Sequence, residues 1–334
     1  MSNILEKIIS KAKLNPAKIA FPEAENPVML KAIKEAVDRD IVVAKLIGDK
    51  EKILLALKTN SIAPNSVEII DTSDEILQEN LVDKYLEQVE SLYGKKALLR
   101  RSSQPLYYAL MLEAIAQVDC TFAGLESSTG NVILSAQTIL GIDEDIPTIS
   151  SSGIIDIPGY HGSEGSVIGF GDSGVCQNPN AEELANIAIA TCDTLKTLLD
   201  WEPRCALLSY STLGSGEGIL VEKVVDAVKI ANKKRPDLLI EGEFQLDTAI
   251  NSEVAKKKAG VSKVAGKANI LIWPDLNAGN IGVKLMQQFG GGVSFGPILQ
   301  GFKKTIADCS RGASVEELVG NIAIASLRAS SNEK

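Results

Sequence analysis

Residues 18–49 read KIAFPEAENPVMLKAIKEAVDRDIVVAKLIGD. Lys18 to Phe21 predicts a short strand ended by Pro22. Pro27 to Asp40 places Val28, Ile33 and Val37 at helical spacing. Val42 to Ile47 is an apolar strand closed by Gly48-Asp49. The same alternation continues outward. An amphipathic helix is expected over Ser2–Lys13, a helix over Glu51–Leu57 and a strand over Val67–Ile70. Asp74–Tyr93 reads as a helix stopped by Gly94, then come a helix at Tyr107–Val118, a strand at Cys120–Ala123 and a helix at Asn131–Leu140. A repeated β-α order implies a mostly parallel sheet covered by helices on both faces.

The middle of the chain reads differently. Thr148–Ile157 and Ser166–Gly171 predict an antiparallel pair joined by a polar turn through His161-Gly162-Ser163, marking a change of domain. Helix and strand signals then resume at Ala181–Leu199, Cys205–Tyr210, Val221–Lys233, Leu238–Ile240, Ile270–Trp273 and Asn280–Phe289. A last helix is expected from about Ser314, and Ser330–Lys334 reads as a frayed end. No repeat, low-complexity tract or long linker interrupts this order.

A chain of 334 residues suggests two domains of common size. Its 45% hydrophobic and 23% charged residues are those of a globular protein. A formal charge of −9 argues against nucleic acid and anionic membrane surfaces as partners. Small anions remain compatible, because a local cluster of Arg and N–H groups outweighs distant charge once salt screens it. Five cysteines without a CxxC pair argue against a disulfide scaffold or a zinc site. The first residues lack the apolar run of a signal peptide, and no stretch reaches the ~20 apolar residues of a membrane span. The expected compartment is cytoplasmic.

Four loops each follow a strand and precede a helix, where ligands of α/β sheets collect. Ala123–Asn131 offers N–H groups and the hydroxyls of Ser128 and Thr129 to an anion, or simply caps a helix. Ser209–Gly218 has three glycines that let backbone approach a ligand, yet it lacks the Gly-Lys-Ser/Thr of a Walker A loop. In Trp273–Lys284, the residues Asp275, Asn277 and Asn280 exceed what one cap needs. In Asp308–Leu318, Arg311 carries a permanent planar charge suited to phosphate. Glu317 fits two roles there, a base or the fourth residue of a capping box begun by Ser314. His161 lies in a Gly- and Ser-rich turn and reads as a solvated loop residue, as does the acidic run Asp143–Asp145. Cys176 and Cys309 have no adjacent His or basic cluster in sequence to make a reactive thiolate.

Eight stretches together resemble the phosphate acetyltransferase (phosphotransacetylase) family, with phosphate butyryltransferase as a close relative. They are Lys18–Glu25, Asn178–Ala185, Leu208–Gly216, Glu241–Asp247, Val264–Asn269, Pro274–Ile281, Gly296–Gly301 and Ser310–Glu317. Their order matches the family from end to end, most specifically in the second half. The resemblance implies two doubly wound α/β domains of isocitrate/isopropylmalate dehydrogenase type with an interdomain cleft. It divides the chain as 1–147 plus 300–334 and 148–299, with the last helix returning to the first domain. It implies a homodimer that needs no metal and no bound cofactor, with coenzyme A, acyl phosphate and phosphate as substrates. The reaction implied is direct attack of the coenzyme A thiolate on an acyl phosphate, with no acyl-enzyme. By motif, Arg311 binds phosphate, Ser310 donates to the tetrahedral oxyanion, and Glu317 stands where the family has its catalytic Asp. Substrate and phosphate contacts are expected from Ser128, Thr129, Ser211, Thr212, Gly214, Asn280 and Lys284.

The chain departs from the family pattern in places. Leu134, Gln288 and, by a looser alignment, Glu90 stand where the family has arginines, and a family histidine is absent around Glu126-Ser127. Each lost charged hydrogen bond removes about 1.5–3 kcal/mol of binding. Lys95, Lys96, Arg100 and Arg101 are the nearby cations that could substitute. The rival to an active acyltransferase is an impaired paralogue that binds acyl-CoA or acyl phosphate as a sensor or partner subunit. A dehydrogenase would share the fold class, but no dinucleotide fingerprint supports one.

Overall fold

The computed structural model describes residues 3–331. The helix start expected at Ser2 and the tail beyond Ser331 lie outside them. Two compact units emerge, Asn3–Ile142 with the chain from Phe302 onward, and Asp143–Gly301.

The first unit opens with α1 (Asn3–Ala12), β1 (Ala17–Phe21), α2 (Pro27–Asp38), β2 (Val42–Gly48), α3 (Lys50–Thr59) and β3 (Glu68–Asp71). It continues with α4 (Glu75–Gln88), α5 (Lys95–Ser102), α6 (Pro105–Ala114), β4 (Cys120–Phe122) and α7 (Thr129–Ile139). In the second unit come β5 (Ser150–Asp156), β6 (Val167–Gly171), α8 (Ala181–Leu199), β7 (Arg204–Leu208), α9 (Ile219–Lys234) and β8 (Leu239–Phe244). Then follow α10 (Leu246–Ile250), α11 (Ser252–Lys258), β9 (Ile270–Ile272), α12 (Leu276–Gly290) and β10 (Val293–Gln300). The chain returns to the first unit for β11 (Thr305–Ala307) and α13 (Val315–Ser331).

The first sheet has the order β11-β4-β1-β2-β3 and is parallel throughout. Helix α13 packs on α1, α2 and strands β1, β4 and β11, while α6 packs on β1, β2 and β4 together with α4, α5 and α7. The last helix is held by more than apolar burial. Ser326 donates its hydroxyl to the Ile41 carbonyl at 2.7 Å and accepts the Ala17 N–H at 3.0 Å, tying α13 to the starts of β1 and β2.

The second sheet has the order β10-β5-β6-β9-β7-β8. The expected antiparallel pair is β5 and β6, and β10 adds a second antiparallel edge to β5. From β6 onward the pairing is parallel. Ile155, Ile168, Phe170, Leu208, Phe244 and Leu271 form the core of one face, against which Ala278, Val283 and Met286 of α12 pack.

Three expectations are corrected. The helix expected to run to Tyr93 ends at Gln88, because Val89 turns extended (φ −127°, ψ 128°). Gly94 is therefore not a stop but the residue before α5, a basic helix that carries little apolar periodicity to signal it. Strands β10 and β11 escape pattern reading, the first because Gly296-Pro297 sits inside it where its register shifts, the second because its three residues follow Lys303-Lys304 and hold one large apolar side chain, Ile306. The end expected to fray from Ser330 is helical through Ser331.

Glu113 of α6 is fully buried, and neither carboxyl oxygen has a hydrogen-bond partner. Burial pushes its pKa up to about 8 from 4.5, opposed by the adjacent Thr121. The folded chain thus holds a proton that the unfolded chain releases, so stability falls as pH rises from about 4.5 to about 8. Glu113→Gln should remove this slope. Its unfolding free energy should pull ahead of the wild type with rising pH, by on the order of a few kcal/mol near the top of that range, with its thermal midpoint rising in step. Parallel melting curves across pH would sink this account.

Candidate active site

In the first unit the loops after β1, β4 and β11 meet at the carboxyl ends of three adjacent parallel strands. Glu23, just past β1, is buried and accepts the N–H groups of Gly124 (3.2 Å), Leu125 (2.7 Å) and Ser127 (2.8 Å). A buried carboxylate is tolerated only when its lone pairs are satisfied, so these donors fix the path of the β4–α7 loop. That loop is also locked to the one after β11. Gly124 has φ +117°, and a Cβ there would clash with Asp308 Oδ1 and meet the Cys309 N at 2.6 Å. Thr129 donates its hydroxyl to Asp308 Oδ2 at 2.7 Å. Ser128 accepts the Asn131 N–H at 3.2 Å as the cap of α7. Asp308 is 1% exposed, and burial raises its pKa to about 6 from 3.8 against the opposing Thr129 hydrogen bond.

Ser310 and Arg311 stand exposed just beyond this lock. The Arg311 guanidinium makes no hydrogen bond or ion pair among the described residues, so its five donors are available to an anion. The capping box is formed as well. The Ser314 N–H donates to Glu317 Oε2 at 2.7 Å and the Glu317 N–H donates to Ser314 Oγ at 3.2 Å. This leaves Glu317 Oε1 without a partner among the described residues, on an exposed side chain.

In the second unit two further carboxylates repeat the role of Glu23. Glu243 at the end of β8 accepts the Ser211 hydroxyl and the Gly214 N–H, both at 2.8 Å, and its carbonyl accepts the Leu213 N–H at 3.2 Å. Asp172, after β6, accepts the N–H groups of Gly174 (2.9 Å), Val175 (3.2 Å) and Cys176 (2.7 Å) as well as the Ser151 hydroxyl. Ser211 and Thr212 are buried, and the Thr212 hydroxyl oxygen accepts the Gln245 N–H at 2.9 Å. Three of the expected contact residues, Ser211, Thr212 and Gly214, therefore commit these polar groups to the shape of the Gly-rich loop. Asp275 caps α12 through the Ala278 N–H at 3.0 Å, Asn280 reaches the Ser173 carbonyl at 3.3 Å, and Lys284 is exposed with no partner among the described residues. A cavity of about 300 Å³ opens at the ends of β7 and β9, lined by Leu208, Tyr210, Lys223, Trp273 and Asp275 among others. Desolvation lowers the Lys223 pKa, opposed by Asp275.

Of the four cations considered as substitutes, Lys95 pairs with Asp83 (2.6 Å) and Glu79 (3.2 Å), and Arg101 lies over the Tyr93 ring at 3.9 Å. Lys96 and Arg100 are exposed with no partner among the described residues.

A sequence profile described as phosphate acetyl/butaryl transferase matches residues 3–326. The chain belongs to that family. Within the family it is 37% identical over 332 residues to a phosphate acetyltransferase of Clostridium acetobutylicum, covering 98% of each chain. The EutD phosphotransacetylase of Staphylococcus aureus superposes with a TM-score of 0.90 at 29% identity, covering 98% of each chain. A phosphotransacetylase of Streptococcus pyogenes superposes with a TM-score of 0.88 at 30% identity, covering 99% of this chain and 100% of its own. Glu23, Asp172 and Glu243 lie outside the four loops that sequence reading singled out, and Asp308 opens the fourth without having been given a role. Glu23 and Glu243 lie inside the stretches that carry the resemblance, which was the available signal; their loop partners are distant in sequence.

Gly124→Ala tests the lock between the two loops of the first unit. Its φ and the Asp308 contact together should cost about 2 kcal/mol or more in stability. An unchanged thermal midpoint would show that the loops are not held as described.

Proposed function

We propose that this family member moves an acetyl group between coenzyme A and phosphate, in the sense acetyl-CoA + phosphate = acetyl phosphate + coenzyme A. The observation that carries the reading is the Ser310-Arg311 corner, where an unpaired guanidinium stands exposed next to a loop pair held rigid from below. Arg311 takes the phosphate through charge-assisted donors. Glu317 Oε1 receives the thiol proton of coenzyme A, and the thiolate sulfur forms a bond to the carbonyl carbon of acetyl phosphate. The oxyanion that develops accepts from the Ser310 hydroxyl, and fixed donors of this kind supply much of catalytic power. The carbon–oxygen bond to phosphate then breaks, and phosphate departs on Arg311. No acyl-enzyme forms, and the proton remains on Glu317 until solvent takes it.

Ser128, Thr129, Asn280 and Lys284 are assigned to substrate and phosphate contact. Ser211, Thr212 and Gly214 serve it by holding the Gly-rich loop in shape. Lys96 and Arg100 of α5 are assigned to the phosphates of coenzyme A, which is a substrate rather than a resident cofactor. The mechanism calls for no metal. No described helix is long and apolar enough to cross a membrane, and the proposed compartment is the cytoplasm. A homodimer is supported by α12, where Ile281, Leu285 and Phe289 fall at i, i+4 and i+8, with Phe289 87% exposed.

Arg311→Ala should keep the fold by circular dichroism and lose about 10²–10³-fold in thioester formation from acetyl phosphate and coenzyme A. Full turnover in that variant would remove Arg311 from the site. Glu317→Gln keeps a residue able to close the capping box, so its melting temperature should hold while turnover drops about 10²-fold or more. Activity equal to the wild type would leave Glu317 as a cap alone. Charging the helix face with Ile281→Glu and Phe289→Glu should halve the mass in sedimentation; an unaltered dimer would place the interface elsewhere.

A further inference from the structure

Asp308 is the least satisfied acid at the proposed site. It is 1% exposed, Oδ2 takes the Thr129 hydroxyl at 2.7 Å, and Oδ1 has no hydrogen-bond partner among the described residues. Oδ1 occupies the space that a Cβ at Gly124 would fill, so Gly124 has no side chain with which to answer it. Thr129 is half-buried in the first turn of α7, beside the Ser128 cap.

We propose that Asp308 is a positioning residue for the phosphate end of the substrate: its carboxyl decides whether Thr129 donates its hydroxyl inward or outward to a phosphate oxygen. The proposal rests on the assignment of Thr129 to phosphate contact. A threonine hydroxyl has one proton. While that proton is donated to the Asp308 carboxylate, Thr129 presents only lone pairs to an approaching anion. When Asp308 takes a proton from solvent, its own O–H donates to Thr129 Oγ1, and the threonine proton is released to the ligand. Protonation also removes a negative charge from beneath the anion.

The charged and titratable groups facing Asp308 are few. Glu23, from the loop after β1, raises the pKa of Asp308 by its charge, and its own oxygens are engaged by Gly124, Leu125 and Ser127. The neighbouring Cys309 thiol is pushed up by burial and stays neutral. From α7 the facing group is Thr129 itself. With the Asp308 pKa near 6, the exchange falls within an accessible pH range.

Sulfate is the probe, because its charge does not change over the range used. Its inhibition constant against acetyl phosphate should tighten about tenfold in the wild type between about pH 8 and about pH 5.5, one charge-assisted hydrogen bond being gained. In Asp308→Asn the amide can donate permanently to Thr129, so sulfate should bind at every pH about as tightly as it binds the wild type at low pH. Thr129→Val should bind sulfate weakly at every pH, and Thr129→Ser should restore both affinity and slope. An Asp308→Asn variant that follows the wild-type pH curve, or a Thr129→Val variant that keeps it, overturns the proposal. If Asp308→Asn does not fold, the Thr129 pair decides alone. Calorimetric titration of sulfate gives the same readout without turnover, which separates failure here from failure of the proposed reaction.

Discussion

A buried carboxylate at the carboxyl end of a strand, filled by the N–H groups of a loop, is the constraint on which each half of this protein rests. Glu23 does this for the β4–α7 loop, Asp172 for residues 174–176, and Glu243 for the Gly-rich loop. Each hydrogen bond to a charged group contributes about 1.5–3 kcal/mol, and leaving such a group unpaired in the interior costs more. The loops therefore have little freedom to be anything else. A glycine-rich or serine-rich segment that would be floppy alone becomes a preorganised surface, and preorganised donors are what a developing oxyanion requires.

This arrangement separates two kinds of polar residue that look alike in sequence. Ser211 and Thr212 face inward and maintain the loop, while Ser310 and Arg311 stand exposed and keep their donors available. Glu317 belongs partly to both kinds. One oxygen closes the capping box of α13 and the other is open, so helix start and proton acceptor coexist in one side chain. A carboxylate anchored by its cap loses less rotamer freedom when it acts, which favours accurate placement. Asp308 is the contrasting case, a buried acid given one good partner where Glu23 has three.

The dehydrogenase-type architecture is a scaffold for several chemistries, and the fold by itself selected none of them. What narrowed the choice was the set of loops at the strand ends together with family membership over residues 3–326. Leu134 is exposed on α7. Lys96 and Arg100, on α5 of the same unit, are cations without a partner among the described residues.

Read alone, the sequence determined the alternation of strands and helices, the antiparallel β5–β6 insertion, the four loops and the capping box at Ser314 and Glu317. All of these are local: a period of two or 3.6 residues, a glycine after a strand, a pair three residues apart. It failed where the local signal was weak, at basic α5, at the Gly-Pro interruption of β10 and at β11, which has a single large apolar residue. Only the tertiary structure decided which loops meet. Thr129 and Asp308 are 179 positions apart, and Glu23 lies 101 positions from the glycine it holds. Those pairings follow from the parallel order β11-β4-β1, which brings the ends of distant strands side by side, and no periodicity along the chain encodes that adjacency.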